Sequence, residues 1–404
     1  MNFVVFSYNF LPQSDAEAYC TARFCSALAA TGNVVHVVTM DHPVQVSDDV
    51  LHELIDDRLV ITRVPLKESG KKLLPRVRFM TPEWSSANYN EVIGILKEVL
   101  RRYDNPILVS RSMPESSHII AYHVRKYVAQ WVAHFSDPIP FMFGKQGFKG
   151  RIWGWLSRRW VKKVLKSCDY VSLTCEEAKF FYHETYGSLF DEKNAFVTPH
   201  IGDPPLAIRQ QWRKPSPEKL IVHSGMLSKS RGSYSIVGAL DKLNENGICA
   251  RFVQVGPCDN DTRRILCGRC DSEIMEVKDP DLAAAIVASC DVSLIADVQV
   301  PMAYIPFMPS KFVYQLFSDK PLVLLTKKKS PMWRVASQYK SAGLFVADYT
   351  SPSTLALAIQ KAVGASDKRE VFVEREMIRR EYEQNIVAKE FIRHLVADTV
   401  HDNA

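Results

Sequence analysis

Residues 303–325, AYIPFMPSKFVYQLFSDKPLVLL, decide how this chain is read. Immediately before them, Asp291-Val-Ser-Leu-Ile-Ala296 is a short apolar strand that runs into a loop rich in Pro and Met. The Pro-Ser-Lys step Pro309, Ser310, Lys311 then opens an amphipathic helix, and a second apolar strand over 321–325 closes the unit. Pro and Ser suit a first helical turn, where backbone N–H groups have no intrahelical partner. Such N–H groups, with Lys311 beside them, predict a site for an anion such as a nucleotide diphosphate. Strand, loop, helix and strand in this order place that site at the carboxyl edge of a parallel sheet.

Working outward, both halves of the chain repeat the alternation. In the first half, strands are expected over 3–6, 34–39, 59–64, 107–109, 131–135, 170–174 and 196–197. Helical stripes separate them, among them Ala16, Cys20, Phe24, Ala27 and Leu28, and Val92, Leu96, Val99 and Leu100. In the second half, strands are expected over 220–224, 251–255, 292–296, 322–325 and 344–346, with helices over 233–243, 280–288 and 311–317 between them. This pattern predicts an α/β protein of two doubly wound, Rossmann-like domains facing a cleft. Pro and Gly break the pattern near 200–218. The expected division is therefore a first domain over 1–203, a linker over 204–218, a second domain over 219–375, and a helical tail over 376–404.

At 404 residues, with 47% hydrophobic and 24% charged side chains, the chain is long enough for two such cores. No apolar run approaches the ~18 residues of a membrane span, and the first residues lack a basic leader segment. A cytoplasmic protein is expected, and nine cysteines, an odd number, fit a reducing compartment. Cys267-Gly-Arg-Cys270 lacks the second pair a structural zinc needs, and Asp259-Asn-Asp261 falls where a turn is expected, so no metal is assigned. His118, His123, His134, His200 and His223 show no ligand spacing and are expected to be satisfied core or cleft residues.

The net charge of +6 is unevenly spread. Between Asp137 and Asp169 lie Lys145, Lys149, Arg151, Arg158, Arg159, Lys162, Lys163 and Lys166 with no acid, interleaved with Trp153, Trp155 and Trp160. A helix of this composition over 145–166 can lie on an anionic membrane surface. Equally, its stripe of Ile152, Trp155, Leu156, Val161, Val164 and Leu165 can pack on the sheet with the charges solvated. No nucleic-acid motif accompanies the patch.

Several segments fall in a familiar order: Trp131-Val-Ala-His-Phe-Ser-Asp-Pro138, Cys168-Asp-Tyr-Val-Ser-Leu-Thr-Cys-Glu-Glu-Ala178, Val197-Thr-Pro-His-Ile-Gly-Asp203, Ile221-Val-His-Ser-Gly-Met-Leu-Ser-Lys-Ser-Arg-Gly232 and Pro309-Ser-Lys-Phe-Val-Tyr-Gln-Leu316. Over nearly the whole length this order resembles the GT-B glycosyltransferases, most closely glycosyltransferase family 4 and the group 1 transferases. The resemblance implies a C-terminal helix crossing back to the first domain. It implies sugar transfer from a UDP- or GDP-sugar to a glycan or lipid-linked acceptor in surface polysaccharide synthesis. It also implies retention of configuration and no obligatory cofactor or metal, and the basic helix would fit a lipid-linked acceptor at the inner membrane face. Gly225, Met226, Arg231, Gly232, Pro309, Ser310, Lys311 and Tyr314 match the donor-binding positions, with Arg231 and Lys311 on the leaving diphosphate. Asp137 matches a position near the reacting sugar, where an acceptor is activated or oriented.

The chain also departs from that family. Met226 stands where Arg is usual, Tyr314 stands where a ribose-binding Glu is usual, and the loop after the first strand, Pro12 to Glu17, has no glycine. These departures keep open a second reading, a catalytically degenerate protein serving as scaffold or partner in a glycan-assembly complex.

Overall fold

The structure, a computed structural model, describes residues 1–66, 89–140, 148–190, 195–203, 205, 207, 208, 212, 218–277, 279–368 and 370–401. They form two compact units, residues 1–201 with 384–404, and residues 202–383. Most of the expected linker, and Lys145 of the basic segment, fall outside the described residues.

The first unit is built on seven parallel strands: β1 Asn2–Ser7, β2 Val34–Asp41, β3 Val60–Pro65, β4 Ile107–Ser112, β5 Gln130–Phe135, β6 Tyr170–Leu173 and β7 Ala195–Val197. Their order is β3-β2-β1-β4-β5-β6-β7. β1 pairs with β2 on one side and β4 on the other, from Phe3↔Ile107 to Ser7↔Arg111. The winding reverses between β1 and β4, which makes that gap the switch point of the sheet. Runs such as Phe3-Val-Val-Phe6 are buried throughout, as strands covered on both faces require.

The terminal helix Gln384–His401 belongs to this unit because of Phe391. Its ring lies 5.0 Å from Phe24, 5.6 Å from Phe196 and 6.2 Å from Phe3. Burying such a ring contributes roughly 2 kcal/mol. The crossing does not begin at 376 as the sequence led us to expect. Helix Val373–Glu381 stays with the second unit, because Arg375 donates to the carbonyls of Ser318, Lys320, Ala342 and Gly343. Arg379 adds bonds to Leu316 O and Ser318 O.

The second unit has six parallel strands: β8 Lys219–Ser224, β9 Ala250–Val255, β10 Ser272–Met275, β11 Val292–Ala296, β12 Leu322–Leu325 and β13 Leu344–Ala347. Their order is β10-β9-β8-β11-β12-β13, so the switch point falls between β8 and β11. These two strands pair only from Val292↔Ile221 to Leu294↔His223 and part beyond it. Strand β10 was not expected: it is a half-buried edge strand, Ser-Glu-Ile-Met, with no apolar run to announce it. Four further helices, Asp48–Leu54, Asn260–Cys267, Pro331–Gln338 and Pro352–Asp367, were not expected either. Each starts on a side-chain cap, Ser47, Asp259, Ser330 or Ser351.

The basic segment forms one helix, Phe148–Ser167. Leu156, Trp160, Val161, Val164 and Leu165 are buried, but Ile152 and Trp155 are 41% and 55% exposed. The expected apolar stripe is thus narrower than drawn. At 100° per residue, Ile152 and Trp155 share the outer face with Arg151, Arg158, Arg159 and Lys162, all exposed.

Candidate functional site

The carboxyl edge of the second sheet gathers most of the residues singled out by sequence. Strand β8 ends at Ser224, and Gly225 follows with φ +118°, a backbone that disfavours any residue with a side chain. A Cβ there would lie 2.9 Å from Cε and 3.1 Å from Nζ of Lys311, so the lysine lies directly across the glycine. Lys311 Nζ donates to Ser224 Oγ at 3.0 Å. The sequence separates these residues by more than eighty positions; the β8–β11 switch point brings them together.

Arg231 enters the same place from the turn after β8. Its Nη1 donates to the carbonyl of Ala296, the last residue of β11, at 2.8 Å. Gly232, φ +78°, then starts helix Ser233–Glu245. A Cβ on Gly232 would fall 2.6 Å from Leu325 Cδ2, so no larger residue fits. Lys311 keeps contact with solvent while protein crowds most of its surroundings. That crowding first, and the Arg231 charge second, lower its pKa to about 8. Lys311 and Arg231 therefore approach each other at the parting of β8 and β11, and their mutual repulsion is what an anion would relieve.

Two further groups lie beside these cations: His223, expected from the sequence only as a satisfied core or cleft residue, and Asp297, which the sequence did not mark. Buried His223 lies 2.8 Å through Nδ1 from Gln254 Oε1, and burial foremost, against the help of that bond, lowers its pKa to about 3. It adds no charge near neutrality. Asp297, after β11, is buried and accepts a hydrogen bond from Thr326 Oγ1 at 2.5 Å. Burial raises its pKa to about 7, with Thr326 and Arg231 opposing. Its signal in sequence was only an Asp after a buried strand.

In the turn after β8 most backbone N–H groups are already committed. Gly225 N–H donates to Val255 O, Leu227 N–H to Pro257 O, and Lys229 N–H to Asp259 Oδ2. Those of Arg231, Gly232 and Ser233 close on Ser228 O or Lys229 O. Among the described residues, this turn keeps only the N–H groups of Met226, Ser228 and Ser230 uncommitted. Side chains supply the positive charge. The Asp259-Asn-Asp261 step has a structural duty as well, since Asp259 Oδ1 caps helix Asn260–Cys267 by accepting from Thr262 N at 2.8 Å.

Of the remaining expected residues, Met226 is 51% exposed. Pro309 and Ser310 are half-buried at the start of Ser310–Leu316, a helix of only seven residues, and Tyr314 is half-buried within it. Asp137 belongs to the first unit, exposed just past Ser136 at the carboxyl end of β5. Two buried histidines of that unit are half satisfied: His118 Nδ1 meets Ser110 Oγ and His134 Nδ1 meets Ser172 Oγ, while both Nε2 atoms lack a partner among the described residues. All nine cysteines are free thiols.

No protein-family model matches the chain. No curated protein matches it in sequence. Solved structures do. A structure described as trehalose-6-phosphate from E. coli bound with UDP-2-fluoro glucose superposes with a TM-score of 0.62 at 16% identity, covering 98% of this chain and 99% of that one. A glycosyltransferase from Rickettsia africae gives 0.64 at 13% identity over 97% of each chain. The catalytic domain of starch synthase IV from Arabidopsis thaliana, bound to ADP and acarbose, gives 0.63 at 11% identity, covering 98% and 99%. Over essentially its full length the chain has the GT-B glycosyltransferase fold, two Rossmann-like domains in series.

Proposed function

We propose that this protein is a glycosyltransferase that takes a sugar from a nucleotide-diphosphate sugar, UDP- or GDP-linked, and passes it to a glycan or lipid-linked acceptor. The observation that carries this reading is the convergence of Lys311 and Arg231 on the Gly225 turn at the switch point of the second sheet. In open parallel sheets, ligands bind outside the carboxyl ends at such a point. As the glycosidic bond to phosphate breaks, negative charge grows on the departing diphosphate. Lys311 and Arg231 would be worth more to that state than to the ground state. Ser310 and Tyr314 are the hydroxyl groups nearest in sequence for ribose and phosphate oxygens, and Asp137 is the first unit's candidate for orienting the acceptor. Retention of configuration, independence of metal and a role in surface polysaccharide synthesis are what the family resemblance adds.

A peripheral position on the inner membrane face belongs to the same proposal. Its support is the outer face of Phe148–Ser167, where Arg151, Arg158, Arg159 and Lys162 surround exposed Trp155. Arg159 lies 5.7 Å from the Trp155 ring. Among the described residues no helix is long and apolar enough to cross a membrane. The exposed Met226 next to Gly225 favours the second reading, a non-catalytic GT-B protein within a glycan-assembly complex.

Calorimetry with UDP, GDP, ADP and their sugar conjugates decides between them. Micromolar binding to the wild type, lost in Lys311→Ala, is the expected result. Folded wild-type protein that binds none of them ends the transferase reading and leaves the scaffold.

A further inference from the structure

Strand β9 buries an amide among apolar side chains. Phe252, Val253 and Val255 are at most 3% exposed, and Gln254 between them is fully buried. The register sets Gln254 opposite His223 of β8, whose neighbours Leu220, Ile221 and Val222 are equally apolar and buried. Burying an amide costs free energy unless its donors and its acceptor are all met. Here they are met by His223 and by the backbone that follows β8 and β9.

Gln254 Nε2 donates to Gly225 O at 2.6 Å and lies 3.3 Å from Gly256 O and 3.4 Å from Pro257 O. Its Oε1 lies 2.8 Å from His223 Nδ1. The reverse orientation of the amide would aim Oε1 at three carbonyl oxygens, so the chemistry of its partners fixes this one. An amide oxygen only accepts, so His223 carries its proton on Nδ1 and leaves Nε2 bare. Burial foremost, against the Gln254 bond, lowers the pKa of that ring to about 3, and it is neutral near pH 7.

Gly225 is thereby held at both of its backbone polar groups. Its N–H donates to Val255 O at 2.7 Å, and its carbonyl is gripped by Gln254. The approach is close: a Cβ on Gly256, φ +116°, would lie 3.0 Å from Gly225 O. Lys311 crosses Gly225 as closely, with Cε 2.9 Å from where a Cβ of Gly225 would stand. A shift of the glycine by ~1 Å therefore moves the backbone against which the lysine rests, enough to misplace a charge on its ligand.

We propose that Gln254 is a positioning residue for the anion site: its carboxamide fixes Gly225, and through Gly225 the place of Lys311. Gln254 itself touches no ligand. That the anion is a nucleotide diphosphate rests on the transferase reading; the hold of the amide on the turn does not.

Calorimetry with UDP, GDP and ADP on two variants, each compared with the wild type at the same pH, tests this. Gln254→Met keeps the length of the side chain and removes the amide, and should weaken the nucleotide about tenfold or more. Gln254→Glu keeps an oxygen for His223 and, while its acid is protonated, one donor for Gly225 O. It should match the wild type at pH 5.5 and fall about tenfold or more below it at pH 9, where the ionised acid has no proton to give. Lost packing alone would not return at low pH. Histidine nitrogen NMR of the wild type should show His223 protonated on Nδ1. Wild-type affinity in Gln254→Met, one ratio at both pH values in Gln254→Glu, or a neutral His223 with its proton on Nε2 overturns the proposal. The NMR reading needs no nucleotide, so a wild type that binds none ends the transferase reading without being mistaken for a misplaced amide.

Discussion

The two sheets share a construction and differ at the same place. Each is parallel, each reverses its winding at one gap, and each places polar side chains at the carboxyl end of that gap. At the β8–β11 gap, positive-φ glycines let the backbone turn tightly beside Lys311 and Arg231. At the β1–β4 gap the connecting loop has no glycine, and a proton-sharing cluster around Glu17 fills the space between the strand ends. One edge gathers two cations beside its turn. At the other, burial holds Glu17 neutral beside Arg111 and Ser136. Fold alone does not distinguish them; side-chain burial does.

The sharpest way to break the cationic edge is through its turn. Gly232→Val forces a Cβ-branched residue into φ +78° against Leu325 and Tyr349, and should cost about 3 kcal/mol or more in urea unfolding. A near-neutral result would mean that the turn relaxes and that the close approach to Leu325 does not hold the β8 loop. Next in size is Lys311→Ala. Losing a hydrogen bond from a charged group to a diphosphate should weaken UDP by about 10–100-fold, some 1.5–3 kcal/mol. Calorimetry at pH 7 and pH 9 adds a second reading. Because crowding lowers the lysine to about 8, the wild type should lose affinity toward pH 9, and the alanine variant should not.

The neutral edge is tested by the opposite pH behaviour, in stability rather than affinity. Glu17 is raised from 4.5 to about 8 and Asp297 from 3.8 to about 7, both chiefly by burial. Between the unfolded and folded values the native state holds protons that the unfolded chain has released. Stability from these groups is therefore present below about pH 4 and is lost as pH rises toward 8, on the order of 1 kcal/mol per pH unit for each. Glu17→Gln should flatten the part of that slope between about 4.5 and 8, seen as a denaturation midpoint that falls less with pH. An unchanged slope would mean that Glu17 is ionised in the native state.

What the sequence made legible follows the same division. The alternation of apolar runs with helical stripes, and the Gly225–Gly232 and Pro309–Lys311 steps, carry their meaning within a few residues. Even so, that Lys311 would lie over Gly225 rather than merely near it depends on β8 and β11 being neighbours, a long-range fact. The Glu17 cluster is long-range throughout. Glu17, Arg111, Ser136 and His200 come from four separate segments, and nothing local distinguishes that Glu from a surface residue in a first helical turn. That few backbone N–H groups stay uncommitted after Gly225 is hidden in the sequence for a related reason. Their partners, Val255, Pro257 and Asp259, lie on or just after the neighbouring strand β9. The tail was misdivided because Arg375, which fixes Val373–Glu381 to the second unit, looks in sequence like one of many surface cations.

The smallest expected effect concerns Trp155, and it isolates a surface from a fold. Its side chain is 55% exposed, so Trp155→Ala removes little buried area, and unfolding should shift by less than about 0.5 kcal/mol. The buried neighbours Leu156, Trp160, Val161 and Val164 already hold the helix to its sheet. If the outer face meets an anionic bilayer, the indole inserts at the headgroup level while Arg151, Arg158, Arg159 and Lys162 neutralise lipid charge, each worth about 1 kcal/mol near the surface. Binding to vesicles containing phosphatidylglycerol should then fall severalfold in Trp155→Ala and further in a variant with Arg158 and Arg159 replaced by Gln. Both should leave UDP affinity untouched, since Lys311 and Arg231 belong to the second unit. Vesicle binding that is absent in the wild type, or present and indifferent to these changes, would assign the exposed cations to solvation alone.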